Sequence, residues 1–262
     1  MIHKWEVTIP RLSGKMPRTA YIYLPESYEK NPDKRYPVMY MFDGHNLFYD
    51  ECATYGKSWG LKDFLDGWHK KIIVVGIECG HDGQERLSEY LPYPANQGSN
   101  FAKFQPMGKE TMDWIVGEVK PYIDREFRTI PFRECTAIGG SSMGGLMSVY
   151  AAARYNRWFS KAACLSSSIG FCPSGIMKDL DESEISPDTR VFLSWGTIEA
   201  RGIIDPEGDD HNSYTYRRNK AVFNKLNRHG ALPMLYCQVG GRHCEEDWEK
   251  QIPAFMHFLW ES

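Results

Sequence analysis

Thr136-Ala137-Ile138-Gly139-Gly140-Ser141-Ser142-Met143-Gly144-Gly145-Leu146-Met147 is the stretch on which the interpretation of this chain depends. It begins as an apolar run typical of a strand, continues into small and apolar residues typical of a helix, and its junction has the pattern Gly-x-Ser-x-Gly. A serine on such a sharp strand-to-helix turn takes a strained backbone conformation, and only glycine fits beside it. The pattern predicts a nucleophile elbow with Ser142 as the nucleophile.

The frame of this motif is unambiguous. A nucleophile at Ser141 would require glycine in place of Met143, so Ser141 is interpreted as a small neighbour. The alternative is a glycine-rich turn between two core elements. The chain has 23 glycines, which raises the chance of an accidental Gly-x-Ser-x-Gly match. The apolar strand before the serine and the small residues after it favour the elbow.

The bulk properties favour one soluble α/β domain over residues 1–262. Apolar residues occupy 42% of the positions, which is enough for a substantial core, and no Pro/Gly/Ser-rich linker separates two hydrophobic blocks. A net charge of −3 gives no reason to expect nucleic acid or an anionic membrane as a partner. The first residues lack a basic start followed by an apolar stretch, so neither a signal peptide nor a membrane span is expected.

The seven cysteines predict a reducing compartment, and hence the cytoplasm. Their number is odd, and several lie in apolar runs, where a reduced cysteine acts as a small hydrophobic residue. No Cys-x-x-Cys pair is present, and Cys79-Gly80-His81-Asp82 and His243-Cys244-Glu245 lack the spacing of a metal site. The sequence therefore predicts neither a metal nor another cofactor.

Hydrophobic patterning predicts alternating strands and helices after an antiparallel start. The runs 5–9 and 19–24, around the turn Ser13-Gly14-Lys15, predict a hairpin. Further strands are predicted at 38–42, 72–77, 136–141, 161–165, 190–195 and 232–239, and helices at 59–68, 112–127, 214–229 and near residue 255. Such alternation requires a mostly parallel central sheet with helices on both faces. Active sites of these sheets lie at the carboxyl ends of the strands.

A serine nucleophile needs a base, and the base needs a third group that orients it. In this architecture the acid and then the histidine follow the serine along the chain. His243 comes directly after the last strand and is the predicted base, with His211 as the alternative. Glu199 is the first carboxylate after the preceding strand and is the predicted acid, with Asp205, Asp209 and Asp210 in the same loop as alternatives.

Acyl transfer also needs donors aimed at the oxygen that becomes negative, and backbone N–H groups supply them without reorganisation. We expect one donor from Met143, directly after the nucleophile, and one from His45 in the turn that follows the strand 38–42. The alternative for the second is a plain turn in which no amide is aimed at the site.

Together these motifs resemble the Putative esterase group of α/β-hydrolases, which includes esterase D, feruloyl and acetylxylan esterases, enterochelin esterases and mycolyltransferases. The resemblance runs from about Tyr21 to Leu259 and rests on Tyr36-Pro37-Val38, Asp43-Gly44-His45-Asn46-Leu47-Phe48, Val75-Gly76-Ile77, Arg86-Leu87-Ser88-Glu89-Tyr90, the elbow, Gly196-Thr197-Ile198-Glu199 and Gly241-Arg242-His243. It implies an α/β-hydrolase fold and hydrolysis of a carboxylic ester through an acyl-serine. Ser142, Glu199 and His243 would form the triad, and the His45 and Met143 amides the oxyanion hole. Family members often carry aspartate as the acid and asparagine where Cys79 stands.

The substrate is expected to be a small or medium ester, such as an acyl-sugar, aryl or siderophore ester. The long segment 78–106 has no clear period and is interpreted as a lid or binding surface. The predicted substrate-binding residues, whose aromatic members fit a core equally well, are Trp59, Arg86, Tyr90, Tyr93 and Trp195. An acyltransferase with the same triad, or a non-catalytic binding protein that retains the fold, are the alternative functions.

Overall fold

Eight strands join into one sheet in the computed structural model, which describes residues 1–9, 12, 14, 16–200, 210 and 212–261. The strands are β1 (Ile2–Val7), β2 (Arg18–Tyr23), β3 (Val38–Phe42), β4 (Ile73–Ile77), β5 (Thr136–Ser141), β6 (Lys161–Leu165), β7 (Arg190–Gly196) and β8 (Leu232–Gln238). Their order across the sheet is β1-β2-β4-β3-β5-β6-β7-β8. Strands β3 to β8 pair in parallel, whereas β2 is antiparallel to both β1 and β4. The predicted fold class, with its antiparallel start, is confirmed.

Helices cover both faces of this sheet. They are α1 (Ser27–Lys30), α2 (Leu61–Gly67), α3 (Glu85–Glu89), α4 (Gly108–Trp114), α5 (Lys120–Glu126), α6 (Met143–Arg154), α7 (Pro173–Glu182), α8 (Tyr214–Arg228), α9 (Glu245–Glu249) and α10 (Ile252–Trp260). Successive residues of a strand point to opposite faces, so Ile138 packs under α6 and its neighbours while Ala137 packs towards α2 and α10. None of the described helices is long and apolar enough to cross a membrane.

Two local predictions need correction. The predicted single helix 112–127 is three segments, because a π-helical turn at Ile115–Val119 separates α4 from α5. Pro121 follows this turn within continuous helical backbone, and having no N–H it cannot donate to the preceding turn. The segment 78–106 contains the short helix α3. Helix α7 was not predicted, although its buried residues Ile176, Asp179 and Leu180 follow helical spacing.

The central strands bring the motif residues to one edge of the sheet. Strand β5 lies between β3 and β6, and its register sets Ser141 beside Leu165. Helix α6 is buried from Met143 to Ala153. The turn that joins β5 to α6 is therefore fixed from both sides, by sheet pairing and by helix packing.

Candidate active site

Ser142 occupies the turn between β5 and α6 in a strained backbone conformation, with φ 57° and ψ −117°. A non-glycine residue in such a conformation costs about 1–3 kcal/mol and persists only where the surroundings enforce it. Here the Ser142 amide donates to the Leu165 carbonyl at 2.9 Å, and its carbonyl accepts from the Leu146 and Ser168 amides, both at 3.0 Å. These bonds tie the turn to β6, to α6 and to the loop after β6.

Glycine is required on both sides of this serine. A Cβ atom at Gly140 would lie 3.0 Å from the Cα of Gly144, and one at Gly144 would lie 2.9 Å from the Cβ of Phe42. The backbones of strand and helix thus approach each other too closely for any side chain, which is the geometry that the Gly-x-Ser-x-Gly pattern predicts.

Glu199 and His243 are hydrogen-bonded to each other at the ends of β7 and β8. His243 Nδ1 donates to Glu199 Oε2, and Glu199 Oε1 accepts the Gly196 amide at 2.8 Å. The Glu199 side chain is 8% exposed and that of His243 is 44% exposed. The Glu199 carboxylate is therefore buried and the His243 imidazole is partly exposed. With Nδ1 bonded to Glu199, the Nε2 atom is the ring nitrogen that can accept a proton from another group.

The Trp248 ring supports His243 and is itself held by the Ser166 hydroxyl. The Trp248 ring packs edge-on against the His243 ring, with centroids 5.0 Å apart. The indole N–H of Trp248 donates to Ser166 Oγ at 2.9 Å. Trp248 is 4% exposed, so the imidazole rests on a buried and hydrogen-bonded ring.

A close backbone contact aligns the loops that carry Glu199 and His243. The Gly241 carbonyl accepts the Ile198 amide at 2.9 Å and the Glu199 amide at 3.4 Å. A Cβ atom at Gly196 would lie 2.2 Å from the Gly241 oxygen. Only glycine at position 196 therefore permits this contact.

We expect Gly196→Ala to lower kcat/KM for 4-nitrophenyl acetate about 100-fold, because the added methyl group forces the two loops apart and misplaces the Glu199–His243 pair. Steady-state kinetics on the purified variant would measure this. Gly67→Ala, at a position with no neighbouring atom within 4 Å, is the control and should keep full activity. Unchanged kinetics in a folded Gly196→Ala variant would contradict the role of this contact.

Of the alternative residues for the acid and the base, Asp210 alone lies within the described part of the chain. Asp210 is fully buried, accepts the amides of Asn212 and Ser213, and accepts the Trp195 indole N–H at 3.2 Å. Its carboxylate is thus committed to the start of α8, whereas His243 bonds to Glu199. Asp205, Asp209 and His211 lie outside the described residues.

The amides of His45 and Met143 are without an acceptor among the residues that the structure describes. Met143 is the first residue of α6, where helical geometry leaves the N–H groups unpaired. His45 lies in the 3₁₀ turn Gly44–Asn46 directly after β3. Its imidazole Nε2 is hydrogen-bonded to Thr54 Oγ1 at 2.9 Å, away from the main chain.

A buried ion pair supports the turn that carries His45. Arg86 Nε and Nη2 donate to the two carboxylate oxygens of Asp43 at 2.7 and 2.8 Å. Burial alone would raise the pKa of Asp43, but the Arg86 guanidinium outweighs it and holds that pKa below its ordinary value. Asp43 itself has a positive φ of 56°, and its amide donates to the Tyr90 hydroxyl oxygen at 3.2 Å.

Ser142, Glu199 and His243 line one cavity of about 600 Å³. Within it the Ser142 hydroxyl lies 3.3 Å from Ser168 Oγ. The other lining residues are Asn96, Ser99, Phe101, Ser166, Ser167, Gly170, Phe171, Tyr214, Thr215, Arg218 and Asn219. The segment 78–106 contributes to this wall through Asn96, Ser99 and Phe101.

The five predicted substrate-binding residues do not line the cavity, which corrects that expectation. Trp59, Tyr90 and Trp195 are each 2% exposed and belong to the core. Arg86 is committed to Asp43, and the Tyr93 hydroxyl bonds to Asp179. The aromatic and cationic residues at the cavity are instead Phe101, Phe171, Tyr214 and Arg218, and in the sequence Arg218 is indistinguishable from a surface arginine on an amphipathic helix.

His45, Cys79 and His81 are the one group of three potential metal ligands found among the described residues, with ligand atoms within 4.8 Å of one another. Burial and the nearby Asp43 carboxylate raise the pKa of the Cys79 thiol, which keeps it protonated at neutral pH. A metal bound here would have to displace that proton. The expected absence of metal and cofactor stays a prediction.

A serine on a strained strand-to-helix turn, sharing a cavity with a carboxylate-bound histidine at the carboxyl edge of a parallel sheet, defines the class of the α/β-hydrolases. A family model described as Putative esterase matches residues 13–258. The chain belongs to this family and is an esterase.

Similar proteins span the whole fold. The Uncharacterized protein YbbA of Bacillus subtilis is 26% identical over 248 residues, which cover 93% of this chain and 92% of that protein. Esterase Rv1288 of Mycobacterium tuberculosis is 28% identical over 77% of this chain, and this match covers 41% of that protein's length. Among solved structures, an IroE-like serine hydrolase from Shewanella oneidensis has a TM-score of 0.73 at 22% identity, covering 98% of this chain and 79% of that one. The enterobactin esterase FES from Shigella flexneri has a TM-score of 0.71 at 17% identity, covering 100% and 59%.

Proposed function

We propose that the protein hydrolyses a small or medium carboxylic ester through an acyl-serine intermediate. Ser142 is the nucleophile, His243 the general base, and Glu199 the acid that orients the imidazole. The observation that carries this proposal is the hydrogen bond from His243 Nδ1 to the buried Glu199 carboxylate, in the same cavity as Ser142. The strained backbone of Ser142 supports it, because strain of this kind concentrates at functional sites.

In the acylation step the Ser142 oxygen attacks the ester carbonyl carbon while His243 Nε2 removes the hydroxyl proton. Glu199 holds the neutral imidazole in the tautomer with the proton on Nδ1, and stabilises the imidazolium that forms. The carbonyl oxygen becomes negative and accepts hydrogen bonds from the His45 and Met143 amides. When the tetrahedral intermediate collapses, the C–O bond breaks and the alcohol leaves with the proton from His243.

In the deacylation step water attacks the acyl-serine. His243 removes a proton from the water, and the same two amides stabilise the second tetrahedral intermediate. Its collapse returns the proton to Ser142 and releases the carboxylic acid. In the structure the Ser142 hydroxyl lies 3.3 Å from Ser168 Oγ. The proposed hydrogen bond from Ser142 to His243 forms in the substrate complex, because hydrogen bonds to a general base commonly tighten only there.

The cavity favours an ester with an aromatic part. The Phe101 and Phe171 rings meet edge to face with centroids 4.3 Å apart, and both line the cavity with Tyr214. Aromatic side chains in a cleft bind flat apolar groups well. The structural neighbours include a protein described as ferulic acid esterase and the enterobactin esterase FES. A cytoplasmic location is also proposed, supported by the odd number of cysteines, several of which lie in apolar runs.

The proposed acyl-serine chemistry is tested with a fluorophosphonate and intact-mass spectrometry. We expect one adduct per chain, located at Ser142 by peptide mapping, because the phosphorus reagent traps an activated serine. Ser142→Ala should gain no adduct. Ser168→Ala is the matched control, since its hydroxyl lies nearest to that of Ser142, and it should still be labelled. Labelling that persists in Ser142→Ala would overturn the proposal.

A further inference from the structure

Among the described residues, Arg218 is the one charged group of the cavity wall for which no ion pair is found. The ionisable side chains that line the cavity besides tyrosine are Glu199, His243 and Arg218, and the first two bind each other. Within the described part of the chain, no carboxylate lies at ion-pairing distance from the Arg218 guanidinium. Partial burial lowers the pKa of the Arg218 guanidinium. An arginine that is partly desolvated without compensation is prepared for an anion from outside the chain.

The guanidinium is held in place by its neighbours. Tyr214, one turn earlier on α8, lies beneath it, with the guanidinium carbon 3.7 Å from the ring centroid. Its Nη1 also packs against Gly170, where a Cβ atom would lie only 1.8 Å away. Stacking on an aromatic ring leaves the N–H donors of arginine directed sideways and available. The side chain is thus preorganised to bind a planar anion with two parallel hydrogen bonds.

The position of Arg218 places it within reach of a ligand bound at Ser142. Ser168 Oγ lies 3.3 Å from Ser142 Oγ, and Gly170, which contacts Arg218, comes two residues later in the chain. Two residues of 3₁₀ helix advance by about 4 Å. The aromatic pair Phe101 and Phe171 lies along the same wall. One small aromatic molecule can therefore reach the serine, the aromatic pair and the arginine together.

We infer that Arg218 binds an anionic group of the substrate, and that the preferred esters of this enzyme carry a carboxylate or an acidic phenolate on an aromatic ring. The inference rests on the proposed function for the location of the reacting ester. It adds a determinant of specificity that acts through binding. Arg218 has no part in the proton transfers.

The test is the binding of benzoate and of benzamide, which share shape and differ in charge, measured by titration calorimetry. We expect wild type to bind benzoate about tenfold more tightly than benzamide, as one charged hydrogen-bonded pair provides. Arg218→Gln should bind the two ligands equally. Arg217→Gln removes the same charge from the adjacent, exposed position, where the side chain bonds to the Asn212 carbonyl, and should keep the preference.

Binding needs no turnover, so Ser142→Ala should show the same preference for benzoate over benzamide. The binding result therefore does not depend on the proposed acyl-serine mechanism. Arg218→Lys provides a second variant that keeps the charge but loses the planar fork, and should show a reduced preference. Three results would each overturn the inference: equal binding of both ligands to wild type, no binding of either, or a benzoate preference that survives in folded Arg218→Gln.

Discussion

Ser142→Ala is expected to lower kcat/KM for 4-nitrophenyl acetate by a factor of about 10⁴ or more. Alanine lacks the oxygen that forms the acyl-enzyme, so the rate that remains reflects binding and the backbone donors alone. Initial-rate measurements on wild type and variant, with folding checked by circular dichroism, would establish the loss. The acyl chain is short, so the result does not depend on how the cavity selects its natural substrate.

The three proposed residues act as a unit, which sets the pattern of the other variants. His243→Ala should lose about as much as Ser142→Ala, and the double variant should lose little more. Glu199→Gln should also lose several orders of magnitude, because the amide no longer stabilises the imidazolium. Ser141→Ala, a buried serine directly before Ser142, is the matched control and should stay active. Full activity in Ser142→Ala would exclude the acyl-serine mechanism.

Arg86→Met should lower the free energy of unfolding at pH 7 by about 3 kcal/mol. The substitution leaves the Asp43 carboxylate, whose side chain is 7% exposed, without its bidentate partner. We place the loss at the lower end for buried pairs because the Arg86 side chain is 29% exposed. Urea denaturation would measure the loss, and kinetics would show whether the nearby His45 turn is displaced.

The pH dependence of this loss has a definite sign. In wild type the pKa of Asp43 is lowered, so its contribution is complete above its unfolded pKa and is lost only as the pH falls through the folded value. In Arg86→Met, burial without the cation raises that pKa, so the variant gains stability as the pH falls from 7 towards 5. The gap between the two proteins should therefore narrow at pH 5. A constant gap, or a loss no larger than that of the exposed control Arg125→Met, would contradict this account.

The sequence was sufficient for the fold and for placing Ser142, Glu199 and His243 at one cavity, where their catalytic roles are proposed. Ser142 could be recognised because its glycine neighbours follow from backbone crowding, and His243 and Glu199 because each follows a strand that ends at the same edge. Aromatic candidates such as Trp59 could not be placed, since a side chain that packs in a core and one that lines a cleft have the same pattern. Arg218 could not be singled out because its distinguishing properties, partial burial at the cavity and no ion pair with the described residues, depend on three-dimensional packing.

The order of the proposed catalytic residues along the chain has a consequence during protein synthesis. His243, in the loop after β8, follows Ser142 by 101 positions (243 − 142). At a ribosomal rate of about 5–20 residues per second, roughly 5–20 s pass between synthesis of the serine and of the histidine. Under the proposed mechanism, the nascent chain holds the nucleophile but lacks its general base during that interval. The proposed triad is complete only once the loop after β8 has been synthesised.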